Sequence, residues 1–542
     1  MTTPLEAPPK HPALSLPVQA QDSAPMDAQQ DEHGRMVRRA SPAEQLRKLR
    51  LNYFGTVERP SPENGGEPPI CPELHALAPH TLYLGTTGSG KTLAMKLHMA
   101  SVLPPRIPED YAMSFRSLVY DAKTDLLPFV ARMGFNPEQH VILTNPFDTR
   151  SAAWDIFEDV DNPAASQAFA DILCEDQSAD AFWTVAAREM VSACVDGLNA
   201  HTDANGRRKY WSLRHLVSVL DDYALLAQIL DRTPKGKGVA RDYMGATAKL
   251  SDSLKATLRS HVSPYRLIAA LWDRATVSFS MKRWVGGGGM LLIGDHYRYK
   301  ETMLRVNNLL VRYAIDCLMD RTGPHLEEDL TWLYLDELKN AGRFPNFGTM
   351  LTQGRSKGIR AVLAAQGLST LKLTFRENED QEVINNCGNK CIMQLASDED
   401  ARWAERLYST IERTKISRSI PDDARELGSR TFTTASEPYI HAREFMQLPS
   451  ANDLGGQLSA FYHATGAVVS YTEVPAHIVD SRMPRPASAR SAPVEFDARK
   501  PDTYSLRPLE QEDYIQLGLM PSGADSTPPD EGEEFRLPTP YE

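Results

Sequence analysis

The chain has 542 residues, 42% hydrophobic and 24% charged, enough apolar material to bury one large core or several ordinary ones. Its formal net charge of −12 excludes a generic basic coat for nucleic acid, so any contact with DNA or RNA needs a locally basic surface, such as the inside of a ring. Six scattered cysteines without paired CxxC sets exclude a zinc ribbon and read as reduced thiols, and no run of about 18 apolar residues offers a membrane-spanning helix.

Residues 1–70 are rich in proline (Pro4, Pro8, Pro9, Pro12, Pro17, Pro25) and mixed charge, the composition of a disordered lead. One short amphipathic helix is expected over Ala43–Leu51. The start of the chain lacks the apolar core of a signal peptide, and a cytoplasmic protein is expected.

The segment 71–152 reads as the first part of a nucleotide-binding domain. Apolar Thr81-Leu82-Tyr83-Leu84 predicts a strand, and it runs directly into Gly85-Thr86-Thr87-Gly88-Ser89-Gly90-Lys91-Thr92. Helix-prone Leu93–Leu97 follows. This GxxxxGK[ST] spacing is that of a phosphate-binding loop, in which the glycines let backbone N–H groups wrap around phosphates at the positive end of the next helix. Lys91 is placed to reach the β- and γ-phosphates, and Thr92 to put its hydroxyl on Mg²⁺. A glycine-rich turn before a helix is the plainer alternative, and the strand–loop–helix context weighs against it. Strands at 116–121 and 140–143, separated by helical stretches, give the alternation of a parallel α/β sheet.

Residues 153–273 change character. Ala170, Leu173, Phe182, Val185, Ala186, Met190, Val191 and Cys194 recur at three- and four-residue spacing, so an all-helical domain inserted into the sheet domain is expected. Basic Arg232–Gly238 within it reads as a solvated loop, or as one facing substrate.

Strands resume in 274–480, the second part of the nucleotide-binding domain, at 275–279 and 290–294. Leu330–Leu335 then ends in Asp336-Glu337. A buried strand ending this way sets Asp336 to hold Mg²⁺ directly or through water, and Glu337 to orient and deprotonate an attacking water. Apolar strands ending in an acid are also common structurally; the preceding phosphate loop favours the functional reading. The strand 359–365 ends at Gln366, where P-loop motors carry a polar residue that senses the γ-phosphate and where a plain polar cap would also fit. A segment at Cys391–Leu395, a helix over Asp398–Tyr408 and β-like stretches to about Thr472 complete this part. Residues 481–542, with Asp530-Glu531-Gly532-Glu533-Glu534, read as a disordered acidic tail.

Taken in order, these landmarks resemble the VirD4/TraG/TraD family of type IV secretion coupling ATPases in bacterial conjugation. The resemblance spans about Leu82 to Pro475. It rests on the phosphate loop, Tyr120–Asp125, Asn145-Pro146-Phe147 with Ala153-Trp154-Asp155, Ala181–Arg188, Phe279–Val285, and Leu335-Asp336-Glu337 followed by Gly354–Ile359 and Ala364-Ala365-Gln366. It implies a RecA-like P-loop domain interrupted by an all-α domain. Lys91, Thr92, Asp336, Glu337 and Gln366 fall on the family's nucleotide-site positions, and Arg355 on a position proposed as an arginine finger that reaches the neighbouring subunit's nucleotide. Asp121 and Lys123 match a family motif but receive no chemical step.

The same resemblance implies ATP and Mg²⁺ as ligands, a hexameric ring, and DNA bound without sequence preference. Its implied partners are a relaxase or relaxosome and secretion-channel components. Members of the family usually begin with transmembrane helices; here proline-rich polar sequence stands in their place, so recruitment to the inner membrane falls to a separate anchor. Two alternatives remain: an FtsK/HerA-like DNA pump, and a nucleotide-switched docking adaptor that recruits substrates without moving them. Leu454-Gly455-Gly456-Gln457 lies on the wrong side of Asp336-Glu337 for an ABC signature. Asn389-Lys390-Cys391-Ile392 lacks the aspartate of a guanine-reading motif, so adenine is the expected base.

Overall fold

A computed structural model of the chain describes residues 80–520 with breaks, the longest at 104–115, 419–429 and 476–493, and a two-residue pairing of Gln29–Gln30 with Met36–Val37. The helix expected over Ala43–Leu51 lies outside the described residues.

The molecule is organised on strands β1 (Thr81–Leu84), β2 (Arg116–Asp121), β3 (Val141–Leu143), β4 (Ala153–Trp154), β5 (Ser278–Phe279), β6 (Gly289–Gly294), β7 (Thr331–Leu335), β8 (Ile359–Ala365), β9 (Asn389–Ile392), β10 (Thr410–Arg418), β11 (Arg430–Pro438), β12 (Gln457–Ala464) and β13 (Ser470–Pro475). Nine of them form one sheet in the order β13-β12-β9-β1-β8-β7-β2-β6-β3. The seven from β9 to β3 are parallel, and β12 and β13 add an antiparallel margin. Among the described residues β10 and β11 pair with each other alone, as a separate antiparallel ribbon.

The central strands are apolar without alternation because both faces are covered. Leu82, Leu118, Leu333 and Leu363 point into one core, while Tyr83, Val119, Tyr334 and Val362 point into the other. The second core is closed by α1 (Lys91–Val102), through Ala94, Met95 and Met99, and by α2 (Leu126–Arg132), through Leu126, Phe129 and Val130.

Between the two halves of the sheet the chain is helical: α3 (Pro163–Leu173), α4 (Ala181–Asn199), α5 (Leu213–Asp221), α6 (Tyr223–Leu230) and α7 (Ala248–Trp272). It leaves and re-enters the sheet through the parallel pair β4–β5, Ala153 opposite Ser278 and Trp154 opposite Phe279. Asp159 fixes this crossing. It is fully buried and accepts hydrogen bonds from Trp154 Nε1 (2.5 Å), Ser280 Oγ (2.6 Å), Met281 N (2.7 Å) and Lys282 N (3.1 Å), closing the start of α8 (Met281–Gly287). α9 (Lys300–Met319) then leads to β7.

Three expectations are corrected. The strand expected over 275–279 is only Ser278–Phe279, since its pairing is limited to the two residues of β4. Basic Arg232–Gly238 is solvated, with Lys235 and Lys237 exposed, but it is not a loop. Thr233 caps a short helix, Pro234–Val239, and Lys235 is tied to Asp196 (2.9 Å) and Ser192 (2.6 Å). Part of the tail expected to be disordered is instead folded. Residues 502–520, including α10 (Gln511–Leu517), lie on the helical block, where Asp513 meets Arg214 and His215.

Among the described residues no helix is long and apolar enough to cross a membrane. Cys174, Cys194, Cys317, Cys387 and Cys391 are not in disulfides, and no cluster of metal-ligating side chains occurs among the described residues.

Candidate nucleotide site

The phosphate loop leaves β1 tied to both neighbouring strands. Gly85 N donates to Ala365 O at the end of β8 (3.2 Å), and Thr86 N donates to Gln394 O just beyond β9 (2.7 Å). Gly88 and Gly90 have φ of +86° and +104°, backbone that side-chain-bearing residues rarely adopt. At Gly90, which begins α1, a Cβ would also stand 2.5 Å from Leu458 Cδ1. Thr87 is exposed, whereas Ser89 is buried with its hydroxyl 3.7 Å from Met393 Sδ.

Lys91 is buried. Its ammonium donates to the loop's own carbonyls, Gly85 O (2.7 Å) and Thr86 O (3.0 Å). Burial pushes its pKa down, Asp336 and Glu337 oppose that, and Lys123 adds to it.

β8 separates β1 from β7, so the tips of all three strands meet at one edge of the sheet. Asp336 and Glu337 follow β7. Thr92 Oγ1 donates to Asp336 Oδ2 (2.7 Å), bringing together two hard oxygens of the kind Mg²⁺ prefers. Burial raises the Asp336 carboxyl above its ordinary range; the Thr92 hydrogen bond and the charges of Lys123 and Lys91 pull it down, and Glu337 raises it. Glu337 has φ +64°, and its Oε1 accepts from Gln366 Nε2 (2.8 Å) at the tip of β8. Lys91, Glu337, Ala364, Ala365, Gln366 and Thr370 line a small cleft.

Arg355 does not join this group. It lies in the turn Gly354–Lys357 that precedes β8, whereas Gln366 follows that strand. The seven residues of β8 separate the two edges by roughly 20 Å. The Arg355 side chain is exposed and has no hydrogen-bond or ion-pair partner among the described residues.

Four more residues join the site: Lys123 and Asp121, which the sequence marks only as part of a family motif without a chemical step, and Ser450 and Asn452, which carry no sequence signal. Lys123, exposed just past β2, acts electrostatically on both Asp336 and Lys91. Asp121 turns the same connection into α2, accepting from Asp125 N (3.2 Å) and Leu126 N (2.9 Å), and burial pushes its carboxyl up to about 6. Ser450 Oγ donates to Gly88 O (3.0 Å), and Asn452 Nδ2 would stand 2.7 Å from a Cβ at Gly88. These last two come from a connection some 360 positions away, which no local spacing ties to the loop.

The model of a family described as the type IV secretion-system coupling protein DNA-binding domain matches residues 69–462. No curated protein sequence matches the chain. Among solved structures, the trigonal, sulphate-bound form of the bacterial conjugative coupling protein TrwBdeltaN70 superposes with a TM-score of 0.59 at 18% identity, covering 84% of this chain and 96% of that one. The plasmid coupling protein TrwB in complex with ADP and Mg²⁺ gives 0.57 at 17% identity, covering 79% and 91%. TrwB with a non-hydrolysable ATP analogue gives 0.54 at 18%, covering 74% and 86%. At these identities the likeness speaks for the fold.

Proposed function

Because the chain belongs to the type IV secretion-system coupling protein family, we propose that it is an ATP-driven motor delivering DNA, with its relaxosome, or protein substrates to a secretion or conjugation channel. The observation that carries the reading is the meeting of Lys91, Thr92, Asp336, Glu337 and Gln366 at one sheet edge, with Arg355 unpartnered at the other.

In the proposed reaction, water attacks the γ-phosphate of ATP and releases ADP and phosphate. Lys91 exchanges the carbonyls of Gly85 and Thr86 for phosphate oxygens, and the loop N–H groups hold the β-phosphate. Thr92 and Asp336 would hold Mg²⁺, which when bound neutralises charge on the β- and γ-oxygens. Glu337, held by Gln366, orients the water and takes up its proton.

Arg355 serves the site of the adjoining copy in a ring, proposed to be a hexamer, and stabilises charge developing there. DNA contacts are backbone-directed and salt-dependent. Recruitment to the inner membrane is proposed to come from a partner.

The test is ATP hydrolysis by the purified chain with and without single- and double-stranded DNA, beside Lys91→Ala and Arg355→Ala. DNA-stimulated turnover that is lost in both variants is the expected result. Turnover of the native chain that ignores DNA would shift the reading to a docking adaptor.

A further inference from the structure

We propose that Arg360 is a positioning residue that fixes the Arg355 turn for its work in the neighbouring subunit, with buried His80 anchoring the same turn to the strand of the chain's own phosphate loop. The inference rests on the reading of Arg355 as a finger acting in trans.

The turn Gly354–Lys357 is held through its backbone. Arg360 is buried, and its Nη1 donates to the carbonyls of Arg355 (3.1 Å) and Ile359 (2.9 Å). The N–H of Gly358, at φ +78°, donates to the same Arg355 carbonyl (3.1 Å). On the far side of the turn, Arg321 Nη1 donates to Lys357 O (3.2 Å), and Lys357 Nζ donates to Arg321 O (2.5 Å). Asp329, next to β7, pairs with Arg321 and with Arg116 (2.8 Å).

Arg360 differs from these arginines because its described partners are carbonyls, not a carboxylate. Burial, with Arg355 nearby, lowers its pKa to about 10. Keeping a guanidinium buried on those terms costs stability, and an apolar side chain would start a strand more cheaply. What the cation supplies is a fixed Arg355 backbone beneath a side chain left free.

His80 stands immediately before β1. Its Nδ1 accepts from Ala361 N (2.9 Å) and its Nε2 donates to Leu351 O (2.7 Å), in the helix that leads into the turn. Burial pushes its pKa down to about 4, with Arg360 and Arg355 contributing, so the neutral ring holds this geometry. The turn is therefore braced on β8, which ends at Gln366, and on β1, which ends at the phosphate loop.

The experiment mixes inactive copies. Arg360→Met alone should lower turnover on the order of 10²-fold while leaving the KM for ATP nearly unchanged, because its own phosphate site is intact. Lys91→Ala has a dead site but an intact finger. Mixed in equal amounts, the two should recover toward about a quarter of native turnover, the share of random ring contacts that join an intact site to an intact finger. Gly358→Ala, which strains the turn through its backbone at φ +78° rather than by removing the Arg360 cation, should complement Lys91→Ala in the same way.

A parallel mixture of Arg355→Ala with Lys91→Ala tests the finger itself. Recovery in that mixture but not with either Arg360→Met or Gly358→Ala overturns the positioning role and leaves the finger standing. Recovery in none overturns both, as does native turnover by Arg360→Met alone for the positioning role.

Discussion

Glu337 carries a side chain at φ +64°, a conformation that costs a non-glycine residue about 1 kcal/mol or more. Its carboxylate is aimed at the cleft from a backbone held against its own preference. Glu337→Gly should therefore be at least as stable as Glu337→Ala, by about 1 kcal/mol in denaturant unfolding, although both lose the base. A Glu337→Ala variant that proves the more stable of the two would mean the backbone is unstrained there. Glu337→Gln keeps the shape and removes the proposed proton acceptor. It should bind ATP as the native chain does while turnover falls by about 10²- to 10⁴-fold, whereas Lys91→Ala should also lose affinity for the nucleotide. Equilibrium binding beside turnover separates these outcomes. The loop, Asp336, Glu337 and Gln366 were legible in the sequence because each sits at the end of an apolar run. Ser450 and Asn452 were not, because a long-range crossing brings them in; Lys123 was marked only as part of a family motif, because the order of strands is what sets it beside Asp336 and Lys91.

At the scale of elements, the nine-stranded sheet was readable wherever strands are apolar throughout; β4, two residues long, offers too short a run to be recognised, and β5, equally short, was expected three residues too long. The ordered piece of the tail was hidden by composition. Residues 502–520 dock through Asp513, which accepts from Arg214 Nη2 (2.5 Å) and Nη1 (2.9 Å) and meets His215 Nε2 (2.9 Å), and neither α5 nor α10 announces this pairing locally. Arg214 is buried and also bonds Asp273 (2.9 Å). Asp513→Ala would leave part of its charge uncompensated, so a loss of about 3 kcal/mol in denaturant unfolding is expected, against little change for a chain ending at Met520. Burial acts to raise the Asp513 carboxyl, but hydrogen bonds from Arg214, the Glu510 N–H and His215 hold it well below the usual carboxylate range. A depressed carboxyl adds stability that is complete above its unfolded value, about 4, and is lost as pH falls below it. The native chain should thus lose more stability than Asp513→Ala between about pH 5 and 3, and parallel curves would remove Asp513 as the cause. Asp159 makes a second case. Asn in its place would present an amide donor to three N–H groups and a hydroxyl, so Asp159→Asn should cost about 2–4 kcal/mol, read from the shift in unfolding midpoint.

For the whole molecule, the two edges of the sheet set the unit of activity. One chain holds Lys91 and Glu337 at one edge and Arg355 roughly 20 Å away at the other, so on the proposed reading no chain supplies its own finger. Turnover per chain should then rise with protein concentration until assembly is complete, and Arg355→Ala should stay flat. Charge adds a second axis. Copies that each carry −12 repel one another, and the repulsion shrinks as salt shortens the screening length from about 30 Å at 0.01 M to about 10 Å at 0.1 M. DNA contacts respond the opposite way, because counterions released on binding are harder to release into concentrated salt. Across that range, DNA-free turnover at fixed protein concentration should climb while the stimulation by DNA declines, with ring formation followed by sedimentation in the same buffers. If turnover per chain were constant down to concentrations at which only single chains sediment, the site would be complete within one copy, and Arg355 would have to be reassigned to holding its own loop.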